Sequence, residues 1–390
     1  KLEGILADQK KILKIMQDEL AEVKEKFGDE RRTEIVPHAI NSISQKDTIP
    51  NAPMVVMLSK ENYIKRVPID TFKTQHRGGK GIIGGKTKDE DEIKLIRFAY
   101  NHDELLYFTN KGRVFKLPVY EIPQASRKAK GQAMVNLLQL QDGEAVTAIL
   151  KTAEKFNEQY LVMATKRGTI KKTKVEDFKN VRKSGLIAIK LRNDDSLEWV
   201  KECSDENEIL MVSRNGKSIR FNQKDARPMG RASIGVRGMK LKTDDYVVEM
   251  DVVKNPETTE LLVIMGNGLG KMTKIANYRY QSRGGTGVKT ANITEKTGKV
   301  IGAKVIEKDT TDADLIMISK SGQVIRLNTK QIPSQGRATQ GVYLMRLRPK
   351  DKVASISIVQ NIEKEAEEVA AEQKTDKKDT KKTQKTKELV

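Results

Sequence analysis

The residues best suited to chemistry lie in one short run, Gln75-His76-Arg77-Gly78-Gly79-Lys80-Gly81. The run has no apolar side chain to bury, and its glycines allow close approach to the backbone. Arg77 and Lys80 place positive charge beside accessible backbone N–H groups, which suits the phosphates of a nucleic acid. Taken alone, the run fits a solvated glycine turn equally well, because short motifs also occur by chance.

The run recurs in weaker form along the chain. Six predicted β-hairpins have turn residues 50, 56, 48, 52 and 54 positions apart, and these are Asn62, Gly112, Gly168, Gly216, Gly268 and Gly322. An arginine follows each turn residue by fifteen positions, or by fourteen in the third repeat, and these are Arg77, Arg127, Arg182, Arg231, Arg283 and Arg337. Lysines accompany two of them, namely Lys128, Lys130 and Lys183. Repetition at a fixed offset favours phosphate binding over incidental surface charge.

The elements that must position these loops are short strands. Apolar runs rich in Val, Ile, Leu, Met and Tyr alternate with turns from residue 54 onward, and after each loop we expect one or two more strands. Examples are Val135–Leu140 with Ala145–Leu150, and Val342–Leu347 with Val353–Val359. Six units of roughly four strands predict a mainly β, propeller-like array in which every loop returns to the same part of the rim.

The flanking segments differ from this array. Residues 1–28 have apolar side chains three and four positions apart, which predicts one long helix of the coiled-coil type. Residues 29–53 are expected to be a linker, with a short strand at 34–36, and residues 54–362 to be the β array. Residues 363–390 predict a disordered charged tail, which is either simply solvated or acts as an electrostatic competitor or tether for DNA.

Positive charge is concentrated in the array. The chain carries a formal charge of +20; residues 1–34 carry −1 and residues 363–390 carry none, so residues 35–362 carry +21. This excess predicts a polyanion as partner, and nucleic acid rather than a membrane, because no long basic amphipathic helix is present in that region. Aromatic residues make up only 5% and no recognition helix is expected, so we predict binding and bending of double-stranded DNA without base readout.

Other kinds of site find little support. Cys203 is the only cysteine, which excludes an internal disulfide and fits a reducing compartment. No transmembrane run or signal peptide is expected, which predicts a cytoplasmic protein. His38, His76 and His102 are too scattered to suggest a metal site. Tyr280 follows an arginine, as a topoisomerase nucleophile would, but the repeat places it in a loop. No catalytic residue, cofactor or ATP-binding loop is predicted in this chain.

The repeats and the run at 75–81 resemble the C-terminal domain of the DNA gyrase A subunit. The run is similar to that family's Gln-Arg-Arg-Gly-Gly-Lys-Gly heptad and departs from it only at His76. The segment Phe27-Gly28-Asp29-Glu30-Arg31-Arg32-Thr33-Glu34-Ile35 resembles the part that leaves the coiled-coil arm. Together these features cover about residues 1–360, whereas the tail is not similar to the acidic tail of some relatives.

The resemblance implies a six-bladed β-pinwheel that wraps DNA in a positive sense. It further implies an ATP-dependent type II topoisomerase of two A and two B subunits that introduces negative supercoils. In such an enzyme ATP and Mg²⁺ would act outside this chain, as would the catalytic tyrosine. The resemblance also implies a bacterial, nucleoid-associated protein. The alternatives are the C-terminal domain of a topoisomerase IV A subunit, which favours decatenation, and a propeller that serves as a protein-interaction scaffold.

Overall fold

The computed structural model describes residues 2–29, 33, 45–71, 93–126, 129–152, 160–307 and 313–359. The chain divides between Thr48 and Ile49 into two compact units. The predicted run at 75–81, the strand expected at 34–36 and the tail at 363–390 all lie outside the described residues. No helix of the described part is long and apolar enough to cross a membrane.

The first unit is helical, with α1 at Leu2–Leu6, α2 at Gln9–Phe27 and α3 at Gln45–Thr48. The predicted N-terminal helix is interrupted after α1, because the Asp8 side chain accepts a hydrogen bond from the Lys10 N–H at 3.0 Å and thereby caps α2. Gly28 follows α2 and donates its N–H to the Lys24 carbonyl at 2.8 Å. None of the residues of α2 is buried, so its apolar face is open among the described residues.

The second unit contains 23 strands and no helix longer than a 3-10 turn among its described residues. In chain order the strands are β1 Pro53–Ser59, β2 Tyr63–Pro68, β3 Ile93–Tyr100, β4 Glu104–Thr109, β5 Arg113–Pro118, β6 Gln132–Ala133, β7 Val146–Thr152, β8 Tyr160–Thr165, β9 Thr169–Lys174, β10 Leu186–Ile187, β11 Leu197–Cys203, β12 Glu208–Ser213, β13 Lys217–Asn222, β14 Val236–Arg237, β15 Val247–Val253, β16 Thr259–Met265, β17 Leu269–Lys274, β18 Val288–Lys289, β19 Val300–Glu307, β20 Asp314–Ser319, β21 Val324–Asn328, β22 Val342–Tyr343 and β23 Val353–Val359.

The predicted hairpin turns are confirmed in all six repeats. Asn62 has φ 68°, and the glycine at the same position of the second repeat, Gly112, has φ 74°. The other four turn glycines also have positive φ, which an L residue other than Asn or Asp rarely adopts. The turn chemistry therefore fixes where each pair of long strands reverses.

The strands form six antiparallel sheets, and the sheets do not coincide with the sequence repeats. In the second sheet the strand order is β10-β5-β4-β7, and β10 comes from the third repeat. The same exchange adds β6, β14, β18 and β22 to the sheet of the preceding repeat, whereas the sixth sheet has three strands among the described residues. A mainly β, six-bladed architecture is thus observed, with each blade held to the next by an exchanged strand.

Two predicted strands are wrong in detail. The segment Val135–Leu140 is not a strand, because β6 ends at Ala133 and a 3-10 turn follows at Met134–Asn136. Likewise only Val342 and Tyr343 of the predicted strand Val342–Leu347 pair with a neighbour. In both places the chain leaves the sheet edge after two residues, and apolar side chains such as Met134 and Met345 then pack below it.

The core lies between neighbouring sheets, and the central strands bury both faces. In β8, Leu161 and Met163 belong to the cluster shared with the second sheet, whereas Val162 and Ala164 belong to the cluster shared with the fourth. Alternate side chains of a strand point to opposite faces, so each central strand supplies two clusters. This explains the continuous apolar runs in the sequence.

The long strands that follow the arginine loops line the inner edge of the unit. β3, β7, β11, β15, β19 and β23 each contact the next in this series. Two lysines bind acidic side chains of β15 here: Lys201 Nζ lies 3.3 Å from Asp251, and Lys304 Nζ lies 3.2 Å from Asp251 and 3.6 Å from Glu249. Burial raises the pKa of Glu249 to about 7, against the attraction of Lys304. Ion pairs thus link three successive blades at the inner edge, and the two-residue exchanged strands form the opposite, outer edge.

Candidate nucleic-acid interface

Each predicted arginine loop that the structure describes spans the outer edge of the preceding sheet. We call these segments the arginine arches; they comprise residues 124–131, 179–185, 228–235, 280–287 and 334–341, and each ends in a glycine. We number them two to six after their repeats. Arg127 and Lys128 of arch two lie outside the described residues, as does all of the first loop.

Four arches begin and end on the same strand. The first residue of arch four, Pro228, forms a parallel bridge with Lys172, and Met229 donates its N–H to the Lys172 carbonyl at 2.8 Å. The arch then returns through β14, which pairs antiparallel with Thr169 and Ile170. Arches two, five and six repeat both contacts on β2, β13 and β17. Arch three is one residue shorter and lacks the parallel bridge, although β10 still pairs with β5.

The glycine that ends each arch is required by its conformation. Gly235 has φ 94°, and a Cβ placed on it would lie 2.6 Å from the Ile170 carbonyl oxygen. Its counterparts in the other arches also have positive φ. Only glycine, which has no side chain, allows the backbone to approach this closely. In arches two, four, five and six this glycine stands four residues after the arginine.

Successive arches are connected along the outer edge. The Lys190 N–H donates to Ser233 O in arch four at 3.1 Å, and the Lys240 N–H donates to Gly285 O in arch five at 2.9 Å. Asn292 N–H makes the same contact with Thr339 O in arch six at 3.0 Å. The fifth residue after the glycine of arches three, four and five therefore touches the next arch, so arches three to six form one continuous row.

The predicted arginines lie on this row in different environments. Arg182 is exposed, whereas Arg231, Arg283 and Arg337 are half-buried. Arg283 Nε donates to the Asp225 carbonyl at 2.7 Å and its guanidinium to the Arg237 carbonyl at 3.2 Å. Arg337 donates to the Lys289 carbonyl at 3.3 Å and lies over the Tyr278 ring, 5.9 Å from its centroid. A guanidinium has five N–H donors, so these two arginines keep donors for a further ligand.

Both described lysines of the predicted set are exposed and paired with carboxylates. Lys130 Nζ lies 3.2 Å from Glu61 and 4.2 Å from the centroid of Tyr63, and the hydrogen bond from Lys130 to Glu61 raises the pKa of this lysine. Lys183 Nζ lies 3.2 Å from Glu121. Exposed pairs of this kind contribute little stability, so a phosphate could replace the carboxylate.

A second set of basic residues was missed in the sequence. Exposed cations occupy the fifth and seventh positions after the glycines of arches three, four and six, and we call them the inter-arch cations: Lys190, Arg192, Lys240, Lys242, Arg346 and Arg348. Arch five has Asn292 and Thr294 at these positions. Counting onward from the arch glycine, instead of only from the turn residue, would have found them.

The remaining chemical candidates have structural roles. The Tyr278 hydroxyl is buried against Thr290 Oγ1 at 2.7 Å, and burial raises the pKa of Tyr278. Tyr280, half exposed, begins arch five beside Arg220. Cys203 is buried. In the described part of the chain no three His, Cys, Asp or Glu side chains are grouped as metal ligands would be.

Comparison with protein families gives one decisive match. The family described as DNA gyrase C-terminal domain, beta-propeller, matches six successive segments, at residues 53–97, 103–153, 159–204, 207–254, 260–307 and 313–360. The chain belongs to the DNA gyrase C-terminal domain family. Each matched segment contains one hairpin and the inner strand that follows it, in agreement with the six-bladed fold.

Similar proteins carry the gyrase name. The DNA gyrase A subunit of Staphylococcus epidermidis (strain ATCC 12228 / FDA PCI 1200) is 41% identical over 359 residues, which is 92% of this chain and 40% of that protein. The DNA gyrase A subunit of Staphylococcus aureus (strain COL) is 39% identical over 390 residues, which is 100% of this chain and 44% of that protein. The chain thus spans less than half the length of these relatives.

Two solved structures share the fold. A structure of the DNA gyrase A C-terminal domain has a TM-score of 0.61 at 29% identity, covering 78% of this chain and 99% of that one. The C-terminal domain of DNA topoisomerase IV has a TM-score of 0.69 at 23% identity, covering 83% of this chain and 99% of that one. The second likeness is one of fold alone, whereas family membership rests on the gyrase match.

Proposed function

We propose that this chain binds duplex DNA along the row of arginine arches and wraps it around the outer edge of the six-bladed unit. The observation that carries the proposal is the arches themselves. One backbone construction recurs at the outer edge of the blades, and in every copy the sequence supplies an arginine. Structural contacts alone do not account for the series, because Arg182 is exposed and Arg283 and Arg337 keep N–H donors for a further ligand.

The chemistry of the row suits phosphates rather than bases. Guanidinium groups bind phosphate oxygens through paired N–H donors, and such contacts carry no sequence information. In the described part of the six-sheet unit, the helices are single 3-10 turns of three or four residues, too short to enter a groove as a recognition helix. We therefore expect binding to be independent of sequence and strongly dependent on salt.

The inter-arch cations extend the same path. The backbone of Lys190 or Lys240 contacts the next arch directly, so cations at these positions lie between successive arginines. A duplex that followed the arches would meet positive charge without a long break from arch three to arch five. Bending a DNA site by 40–90° costs on the order of 1–6 kcal/mol, and this continuous series of contacts would offset that cost.

We propose further that this wrap serves a gyrase. The chain would act in the bacterial cytoplasm as part of an A subunit, together with two B subunits and another copy of the A subunit. The whole assembly would use ATP and Mg²⁺, which would bind outside this chain. The run at 75–81, with Arg77 and Lys80, would be the point at which wrapping is strongest, joined by Arg127 and Lys128.

The test uses the gyrase A subunit that contains this chain, reconstituted with its B subunit. The first variant replaces four arch arginines with alanine: Arg182, Arg231, Arg283 and Arg337. The second variant replaces four residues of the first loop with alanine: Arg77, Gly78, Gly79 and Lys80. We expect both variants to lose ATP-dependent negative supercoiling and to keep relaxation and DNA cleavage, since those steps need no wrap. Supercoiling at the wild-type rate by either variant would contradict the role assigned to its residues.

A further inference from the structure

Three lysines are buried beneath arginine arches at one repeated position. Lys65, Lys171 and Lys271 each follow the turn residue of their hairpin by three positions, on β2, β9 and β17. These residues are 8%, 0% and 0% exposed. Lysine is almost never fully buried unless its charge is satisfied, so these positions require an explanation.

The ammonium groups are satisfied by the arches of the following repeat. Lys271 Nζ donates to Gly336 O at 2.7 Å, to Arg337 O at 2.6 Å and to Thr339 Oγ1 at 3.0 Å. Lys171 Nζ donates to the Arg231 carbonyl oxygen, and to Ala188 O at 2.7 Å. In arches four and six, the buried cation therefore binds the backbone carbonyl of the arch arginine itself.

The first arch of this type is bound in the same manner. Lys65 Nζ donates to Ala129 O at 2.7 Å and to Ser126 O at 3.4 Å, on either side of the arginine in arch two. The position is enclosed by construction: the arch begins on the strand residue after the lysine and ends on the residue before it. Whatever side chain stands there supports the arch from below.

The alternate arches have an apolar support instead. Phe115 occupies the equivalent position of β5, and its ring would lie 2.6 Å from a Cβ placed on Gly185 in arch three. Ile219 occupies it in β13, where Cδ1 would lie 3.5 Å from a Cβ on Gly285 in arch five. Arches two, four and six thus rest on a cation, and arches three and five on a hydrocarbon surface.

We infer that Lys171 and Lys271 are positioning residues for DNA binding, which hold the arginine of arches four and six at the height and angle needed to meet phosphate. Lys65 supports the described residues of arch two in the same way. This inference rests on the proposed DNA-binding function. A charge-assisted hydrogen bond to the carbonyl of the arginine fixes the backbone from which the guanidinium extends. In arches three and five the apolar support, Phe115 or Ile219, places no ammonium group at this position beneath the arch.

Titration of the buried Lys171 and Lys271 would also give DNA binding a pH dependence that exposed cations alone would not produce. Burial lowers the pKa of Lys171 to about 8, with Asp177 opposing and Arg231 reinforcing the shift; burial likewise lowers the pKa of Lys271 to about 8, reinforced by Arg337. Exposed lysine and arginine keep their charge well above this range. As pH rises through about 8, the two supports lose their charge while the surface cations keep theirs.

The free energy of unfolding should change with pH in the opposite direction to DNA affinity. The folded-state pKa values lie below the unfolded value of 10.5, so the folded state favours the neutral amines. These two groups make folding more favourable as pH rises from about 8 to about 10.5, while the hold on the arches weakens. A loss of DNA affinity in this range is therefore not explained by unfolding through these lysines.

The test compares a double variant, Lys171→Met with Lys271→Met, against Lys172→Met as the matched control. Lys172 is buried in the same strand as Lys171 and meets arch four through its backbone alone, which the substitution keeps. Its ammonium binds the side-chain and backbone carbonyls of Gln223 in a 3-10 turn instead of an arch. Affinity for a fluorescein-labelled mixed-sequence duplex is measured from about pH 7 to about pH 9, spanning the range in which only strongly perturbed lysines titrate. Thermal unfolding is followed on the same samples.

We expect the double variant to lose about tenfold in affinity near neutral pH, and to lose the decline in affinity that the wild type shows above about pH 8. Lys172→Met should keep the wild-type affinity and pH profile. Wild-type affinity in the double variant, or an equal loss in the control, would overturn the inference, because either result removes the specific link between these lysines and the arches.

Hydrogen exchange in the absence of DNA separates this inference from the proposed function. In the double variant, exchange should become faster at the amides of Ser233 and Thr339, in arches four and six, and stay unchanged at Gly284 in arch five. If the wild type fails to bind the duplex, the proposed function fails, and exchange alone then decides the positioning role. Unchanged exchange at Ser233 and Thr339 would overturn it.

Discussion

At the scale of residues, the arch arginines differ in how much of each side chain is used by the protein itself. Arg182 is exposed and its guanidinium makes no hydrogen bond or ion pair with a described residue, whereas Arg283 donates to two backbone carbonyls. Arg283 therefore holds the arch to the preceding sheet while retaining donors for phosphate. If both arginines bind phosphate as proposed, loss of Arg182 would remove a phosphate contact alone, and loss of Arg283 would remove a structural contact as well.

The inter-arch cations give the sharpest test at this scale. Replacing Lys240 and Lys242 with alanine should weaken binding to any duplex sequence and reduce the slope of log K against log salt by up to about 2, because each neutralised phosphate releases counterions. Both side chains are exposed, so thermal unfolding should not change. Titrations of a labelled duplex at several salt concentrations measure the slope.

Lys254→Ala is the control for this double variant. Lys254 is also exposed, but it follows the inner strand β15, at the edge of the sheet opposite the arches. Its replacement should leave the slope unchanged. Equal effects of the two changes would show that general charge, and not the path between arches, determines binding.

At the scale of elements, the arch is a rigid connection whose shape depends on its last glycine. Gly235→Ala introduces a side chain at φ 94° and 2.6 Å from Ile170 O, and it should destabilise the protein by about 1–3 kcal/mol. Gly230→Ala in the same arch meets nothing within 4 Å, and should alter stability by less than about 0.5 kcal/mol. Denaturant unfolding of both variants measures the difference.

DNA affinity should follow the same order as stability in these two variants. Strain at Gly235 displaces β14 from its partners Thr169 and Ile170, and Arg231 moves with the arch. A Gly235→Ala protein with wild-type stability and affinity would show that the arch tolerates another backbone conformation. The arch would then not be the rigid connection that we describe.

The sequence predicted the hairpins better than the outer edge. Turn residues such as Asn62 and Gly112 require positive φ, and this local requirement is visible in the chain. The exchange of β10 or β14 into the preceding sheet is not visible in the sequence, because two residues of backbone pairing leave no periodic pattern. The segment Val135–Leu140 illustrates the limit. Its three leucines pack below the edge, and sequence alone does not distinguish such packing from a strand.

Buried lysines were equally hidden from sequence reasoning. Lys171 and Lys172 are adjacent in an amphipathic-looking strand, and both would be assigned to solvent by composition. Only the fold shows that an arch encloses one and a 3-10 turn the other. The basic loops were predicted because their charge and spacing are local. The lysines that support them come from a neighbouring repeat, 60 to 68 residues away.

At the scale of the whole molecule, repetition places the basic arches in a row, which the structure describes as continuous from arch three to arch six. Ion pairs link the inner strands β11, β15 and β19, and the central strands bury side chains on both faces. The arches span the outer edge. The net charge of residues 35–362 is +21, and the repeated blades carry part of that charge in series along the arches. A duplex that follows the path must curve, so binding and wrapping become one event.

The sign of the DNA wrap tests this account most directly. Relaxed circular DNA is incubated with increasing amounts of the chain, the circles are nicked and resealed, and the linking number is read after the protein is removed. We predict positive supercoils that increase with protein and disappear when Arg182, Arg231, Arg283 and Arg337 are replaced by alanine. Binding without any change in linking number, or a negative change, would contradict the wrapping function.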